Sequence, residues 1–323
     1  VLFLLKKFIN FCQSEKILAA KKIVVAVSGG ADSLALADLL YRARRRFQLE
    51  LCIAHYEHGL RGKTSLNDAK FVEDFAKSLG LKFFCEHGDV KTFAAENKLS
   101  IETAARFLRY GFLSKVRAEM NFEAIALAHH ANDQAETILM RLLRGTTSAG
   151  LSAMKICTVS KDYGLLIRPL LRFKKSALEN YCESRKLLPR IDETNFQTDA
   201  MRNKIRLELL PILEKFNPAI VETLCRLGEV AAEESDFINC EVEKVFSEVV
   251  EGEAILQEKF LKLHPALQRA VVKKFLGDVW DFGFIHFEEV RKVLTNNLSG
   301  VELPHKLRAN LKRGKLTVVK NFS

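Results

Sequence analysis

The chain has 323 residues, 48% of them hydrophobic, and a formal net charge of +10. That length holds one large domain or two ordinary ones with a sizeable core, and the basic balance suits a polyanionic partner such as nucleic acid. The seven cysteines are scattered with no C-x-x-C pair, which excludes the usual zinc, iron–sulfur and redox-pair spacings and fits a reducing, cytoplasmic compartment. No uninterrupted apolar stretch is long enough to span a membrane.

The first eleven residues are apolar but broken by Lys6 and Lys7, with no small-residue cleavage site after them, so they read as an amphipathic helix. Residues 23–27 (IVVAV) read as a buried parallel strand that stops at Ser28-Gly29-Gly30. A helix follows over residues 34–46, with Asp32 and Ser33 at the turn into it. Such a turn lets backbone N–H groups approach a ligand, and the helix N-terminus favours an anion, so phosphate or pyrophosphate is the expected ligand. It is neither G-x-x-x-x-G-K-[ST] nor G-x-G-x-x-G, and no lysine stands in it.

A second strand over 49–54 ends at His55-Tyr56-Glu57-His58-Gly59-Leu60-Arg61. Helical spacing over 66–79 is followed by a third strand at 81–85, and Ser100 is placed to cap a long helix running to about Met120. A fourth strand at 124–128 ends at His129-His130, after which Asn132 or Asp133 is expected to cap the next helix, ending near Gly145. Alternating strands and helices predict an α/β domain with a parallel sheet, whose ligands sit outside the carboxyl ends of the strands. The three polar strand ends should therefore line one rim.

Residues 146–152 form a Gly/Ser/Thr loop suited to a lid, 165–171 are strand-like around Arg168-Pro169, and 174–185 are helical. With Pro211 and Pro218 as punctuation, the expected domains are 1–213 and 214–323, the second mainly helical with a closing hairpin at 307–319 that turns at Arg313-Gly314. Its basic residues, Lys273 and Lys274 among them, are candidates for phosphate-backbone contact; a solvated basic face is the plainer alternative. Asp133 and Glu136, three apart at a helix start, share a face and can meet a cation, although acids in a first turn commonly serve the helix dipole. His129 and His130 lack metal-ligand spacing and by themselves read as rim or packing residues.

The motifs become specific in order: S-G-G-x-D-S at 28–33, H-x-x-H-x-L-R at 55–61, E-x-x-A-R-x-x-R-Y at 102–110, H-H-x-N-D-Q-x-E-T at 129–137, R-P-L at 168–170, then D-E-T-N and R-N-x-I-R between 192 and 206. Over about residues 23–206 this series resembles the tRNA(Ile)-lysidine synthetase family of PP-loop ATP pyrophosphatases. Glu57 departs from the asparagine usual there. The chain has the look of a short form.

The resemblance implies a Rossmann-like PP-loop fold and an ATP-dependent carbon–nitrogen ligase. O2 of the wobble cytidine in a CAU-anticodon isoleucine tRNA attacks the α phosphate of ATP and pyrophosphate leaves. The ε-amine of free L-lysine then attacks C2 and expels AMP, giving lysidine. Ser28, Gly29, Gly30, Ala31, Asp32, Ser33 and His55 are then the ATP-binding candidates, with Asp32 also oriented toward Mg²⁺. Arg106 stabilises charge on the α phosphate, and Arg109 serves it or a structural ion pair. Asp133 and Glu136 receive the lysine ammonium and its proton, Arg202 the lysine carboxylate, and Arg206, Lys273 and Lys274 the tRNA. A homodimer is compatible with all of this. Two other readings stay open: another PP-loop tRNA-modifying enzyme or ligase, and a basic tRNA-binding protein with an inactive nucleotide site.

Overall fold

Strand β1 (Lys22–Ala26) lies at the centre of a six-stranded sheet, and its inner residues are fully buried because both faces are covered. The computed structural model describes residues 2–59, 63–190, 200–277 and 282–320. Leu60 and Arg61 of the second strand-end cluster, and the D-E-T-N segment at 192–195, lie outside the described residues.

The chain opens with α1 (Leu2–Ser14), then β1, α2 (Ala31–Phe47), β2 (Glu50–Glu57), α3 (Lys63–Ser78) and β3 (Lys82–His87). After α4 (Val90–Asn97) and α5 (Ile101–Glu119) come β4 (Ala124–Ala126), α6 (Ala131–Leu143), the short α7 (Ser148–Leu151), and the pair β5 (Cys157–Ser160) and β6 (Gly164–Ile167). The sheet order is β3-β2-β1-β4-β6-β5, parallel except for β5, which pairs antiparallel with β6. Ile23 and Val25 face the layer containing α1, α2 and α3, whereas Val24 faces α4 and α5, the period of two expected of a strand. The expected α/β parallel sheet is therefore present.

Local differences from the sequence reading have physical causes. The strand expected over 165–171 ends at Ile167, and the residues after it turn: Leu171 N donates to the Arg168 carbonyl and Phe173 N to that of Leu170. The expected loop at 146–152 contains the single turn α7, too short for a periodic signal. Helix α4, capped by Asp89, and the edge strand β5 were not anticipated for the same reason.

α8 (Lys175–Ser184) packs along α2. From Ala200 the helix runs as α9 (Ala200–Lys204), a π-helical turn (Ile205–Leu209) and α10 (Leu210–Phe216). Pro211 has no N–H to bond the preceding turn, and the Leu210 N–H reaches back to the Ile205 carbonyl, so the helix widens where Arg206 stands.

By compactness the chain divides into Val1–Met140 with Met154–Arg226, and Arg141–Ala153 with Leu227–Ser323. The second unit takes most of α11 (Ile220–Val249), then β7 (Val250–Glu251), β8 (Ala254–Leu256), α12 (Gln257–Leu261), α13 (Pro265–Leu276), α14 (Phe284–Thr295), β9 (Gly300–Leu303), β10 (Leu307–Lys312) and β11 (Lys315–Lys320). The expected hairpin is β10–β11, and its Arg313-Gly314 turn has positive φ at both residues. It belongs to a five-stranded antiparallel sheet, β7-β8-β11-β10-β9, whose other strands are two to four residues long and too short to read as periodic. Val271, Val272, Val290, Val293 and Leu294 pack on Ile255, Ala309 and Leu316 of that sheet.

Candidate active site

The turn after β1 is built by a buried hydroxyl. Ser33 Oγ accepts from the Ser28 and Gly29 N–H groups at 3.2 Å each and donates to the Gly30 carbonyl at 2.9 Å. Gly29 sits at φ +95°, a conformation that side-chain-bearing residues rarely adopt, although the space beside it would take a Cβ. Gly30 is the N-cap of α2 and Asp32 lies in its first turn. Two further hydrogen bonds hold the loop from the side: Arg190 N to the Gly29 carbonyl at 3.0 Å and Cys182 Sγ to the Ala31 carbonyl at 3.3 Å. Burial pushes the Cys182 thiol up to about 12, so it stays a neutral donor.

His55, at the end of β2, is buried and its Nδ1 meets the Val27 carbonyl at 2.8 Å. That carbonyl only accepts, so Nδ1 carries the proton, and the buried Nε2 has no hydrogen-bond partner among the described residues. Burial holds this imidazole below the ordinary histidine range despite the Val27 bond. Glu57, also buried, accepts from Gly59 N at 2.8 Å and pairs with His87 Nδ1, so the residue that departs from the family pattern closes the turn after β2.

The third strand end sits against the first. His130 Nε2 lies 3.4 Å from Asp32 Oδ2 and its Nδ1 lies 3.5 Å from Asp133 Oδ2. Neither Asn132 nor Asp133 is the N-cap of α6. His130 takes that place: its Nδ1 accepts the Asp133 N–H at 3.3 Å, while the Asp133 carboxylate accepts the His130 N–H at 3.0 Å, a capping box with a histidine in it. Asn132 instead accepts from Lys175 N at 3.0 Å, tying α8 to the start of α6. Burial works against the His130 charge, but Asp133, Asp32 and Glu136 outweigh it and raise its pKa.

Arg202 and Arg206 converge on the carboxylate face of α6. Glu136, almost fully buried, accepts from Arg202 Nε at 2.8 Å and from Arg206 Nε at 2.6 Å and Nη2 at 3.0 Å. Asp133 Oδ1 is 3.5 Å from Arg206 Nη2 and 3.8 Å from Arg202 Nη2. Burial would raise the Asp133 carboxyl; His130, His129 and Arg202 hold it below its usual range. Asp133, Glu136, Arg202 and Arg206, four of the six residues named from sequence as lysine and tRNA contacts, thus form one mixed-charge cluster.

Arg106 and Arg109 both lie over the Tyr110 ring, their guanidinium carbons 4.8 and 5.6 Å from its centroid. Arg168, buried at the end of β6, donates to the Lys155 carbonyl at 2.8 Å and to Thr158 Oγ1 at 3.0 Å. Burial, with the fields of Arg168, Arg109 and Arg106, drives His129 down to about 3 despite Asp133, so its ring stays neutral. Lys273 and Lys274 are exposed on α13 in the second unit, and Lys274 is 2.5 Å from Glu243.

Sequence reasoning undervalued His130 and Arg168. The signal was positional: both stand just past the carboxyl end of a parallel strand, the rim where ligands bind.

The PP-loop domain family matches residues 4–213. The tRNA(Ile)-lysidine synthase of Clostridium acetobutylicum is 43% identical over 67% of this chain and 46% of its own length. That of Clostridium tetani is 36% identical over 89% of this chain and 63% of its own length. The chain therefore spans about half to under two thirds of these relatives. A U34-tRNA thiolase from Methanococcus maripaludis superposes with a TM-score of 0.59 at 19% identity, covering 71% of this chain and 78% of that one, a likeness of fold. The glycine turn after β1 and the match over most of the first unit lead to one conclusion: the chain belongs to the PP-loop domain family.

Proposed function

We propose that this chain uses ATP to attach free L-lysine to C2 of the wobble cytidine of a CAU-anticodon isoleucine tRNA, forming lysidine. The observation that carries this reading is the 3.4 Å contact of Asp32 with His130, which joins the PP-loop to the cluster of Asp133, Glu136, Arg202 and Arg206. One half of the rim is suited to a departing pyrophosphate and the other to an amino acid.

In this reading ATP lies along Ser28–Ser33 with His55 beside it, and the start of α2 faces the phosphates. Asp32 is the candidate Mg²⁺ ligand. Its buried Oδ1 has no hydrogen-bond partner among the described residues, which fits a cation held by one carboxylate and completed by phosphates and water. The ion would neutralise the leaving group, a task that no loop lysine performs here. Arg106, which shares the Tyr110 ring with Arg109, stabilises negative charge building on the α phosphate. Free lysine carries both charge signs, and so does the cluster beside α6: Asp133, with Glu136 behind it in the arginine pair, suits an ammonium, and Arg202 and Arg206 a carboxylate. The attacking amine must be neutral, and Asp133, the more open of the two acids, is the nearer candidate to take its proton. Arg206, Lys273 and Lys274 are candidates for tRNA phosphate.

Incubation with CAU-anticodon isoleucine tRNA, ATP and labelled lysine, followed by nucleoside mass spectrometry, tests the reading. Label at the wobble cytidine is expected. AMP and pyrophosphate formed without label there would move the chain to another PP-loop chemistry.

A further inference from the structure

We propose that His130 is the positioning residue for Asp32: it caps α6 with one ring nitrogen and aims the PP-loop carboxylate with the other. This rests on the nucleotide-binding part of the function reading and names how the two halves of the rim are held in register.

The ring is 5% exposed and fixed at both ends. The Asp133 N–H donates to Nδ1 at 3.3 Å, and the His130 N–H is in turn received by Asp133 Oδ2 at 3.0 Å. With Nδ1 accepting, the ring proton belongs to Nε2; in the charged form both nitrogens carry protons. In either state an N–H on Nε2 faces Asp32 Oδ2 at 3.4 Å. The other Asp32 oxygen has no hydrogen-bond partner among the described residues, so His130 is the contact that sets which way this carboxylate turns. Asp32 stands in the first turn of α2, where the phosphates are expected, and a carboxylate rotated away from them loses its alignment.

Two roles are combined in one side chain, and substitution separates them. Asparagine is among the best N-cap residues, but its shorter side chain does not extend to Asp32. His130→Asn should therefore melt within about 2 °C of wild type, whereas His130→Ala, losing the cap, should melt about 2–4 °C lower. If His130 positions Asp32, the Asn variant still binds Mg·ATP about tenfold more weakly and releases pyrophosphate about 10- to 100-fold more slowly. In an Asp32→Asn background, adding His130→Asn should change Mg·ATP affinity by less than about twofold, because the group being positioned is already lost.

The measurements are thermal melting, calorimetric titration of the full chain with Mg·ATP, and tRNA-dependent pyrophosphate release. Wild-type affinity and turnover in His130→Asn would overturn the proposal and leave the histidine a cap. So would an equal, additive loss in the Asp32→Asn background. The titration uses neither tRNA nor lysine, so a wild-type chain that binds ATP but transfers no lysine refutes the lysidine reading while the affinities still decide the role of His130.

Discussion

Glu136 lies on α6 with its side chain almost fully buried. Three positions after Asp133, it looks like a free carboxylate waiting for a cation. In the fold both of its oxygens are taken, by Arg202 and by the fork of Arg206. Breaking a buried ion pair from one side costs about 3–5 kcal/mol, less where the partners keep some solvent. Glu136→Gln should therefore lower stability by about 2–3 kcal/mol, read from the urea midpoint, with the two guanidinium groups about 30% exposed. Mg·ATP affinity should stay near wild type, since the PP-loop does not touch Glu136. An unchanged midpoint would mean that the arginines find other partners. The carboxylates were legible from the i, i+3 spacing, but their partners were not, because Arg202 and Arg206 are 66 and 70 residues away in the chain.

At the scale of elements, the PP-loop is held by what packs behind it. Asp38, buried on α2, accepts from Arg42 Nε at 2.9 Å, Tyr181 at 2.5 Å and Arg185 Nε at 3.1 Å, which clamps α8 onto α2. The segment after α8 then reaches Gly29 through the Arg190 N–H. Burial alone would raise the Asp38 carboxyl, but Arg185, Tyr181 and Arg42 hold it below its usual range. A depressed folded-state pKa gives stability that is fully present above the unfolded value of about 3.9 and lost as pH falls through the folded one. Asp38→Asn should destabilise by about 2–4 kcal/mol at neutral pH, and the gap from wild type should close as pH falls below about 4. Denaturant midpoints across that range check the sign; a gap that widens in acid would contradict it. The strands and long helices were legible because their apolar periods are strong. The clamp was not, since Asp38 and Arg185 read as ordinary polar positions until α8 lies against α2.

For the whole molecule, a net charge of +10 is spread over two compact units. If the chain binds tRNA, affinity should fall steeply with salt. Lys273 is exposed on α13, whereas Lys274 lies against Glu243 and over the Phe246 ring at 4.3 Å. Lys273→Glu should weaken tRNA binding and flatten the salt slope by about one unit or more, with Mg·ATP affinity unchanged. Filter binding at several salt concentrations checks this, and an unaltered slope would remove Lys273 from the tRNA surface.

By itself the sequence determined the parallel α/β class, the strand-to-helix turn at Ser28–Ser33 and the rim of three strand ends, because local periodicity and turn chemistry encode these within a few residues. It also carried the family, through motifs whose order survives without any geometry. Only the tertiary structure decided which charges meet. It brought Arg202 and Arg206 onto Glu136, set His130 between Asp32 and Asp133, and extended the last hairpin into a five-stranded sheet. Such contacts join residues far apart in the chain, and their partners are chosen by packing, which no local pattern records.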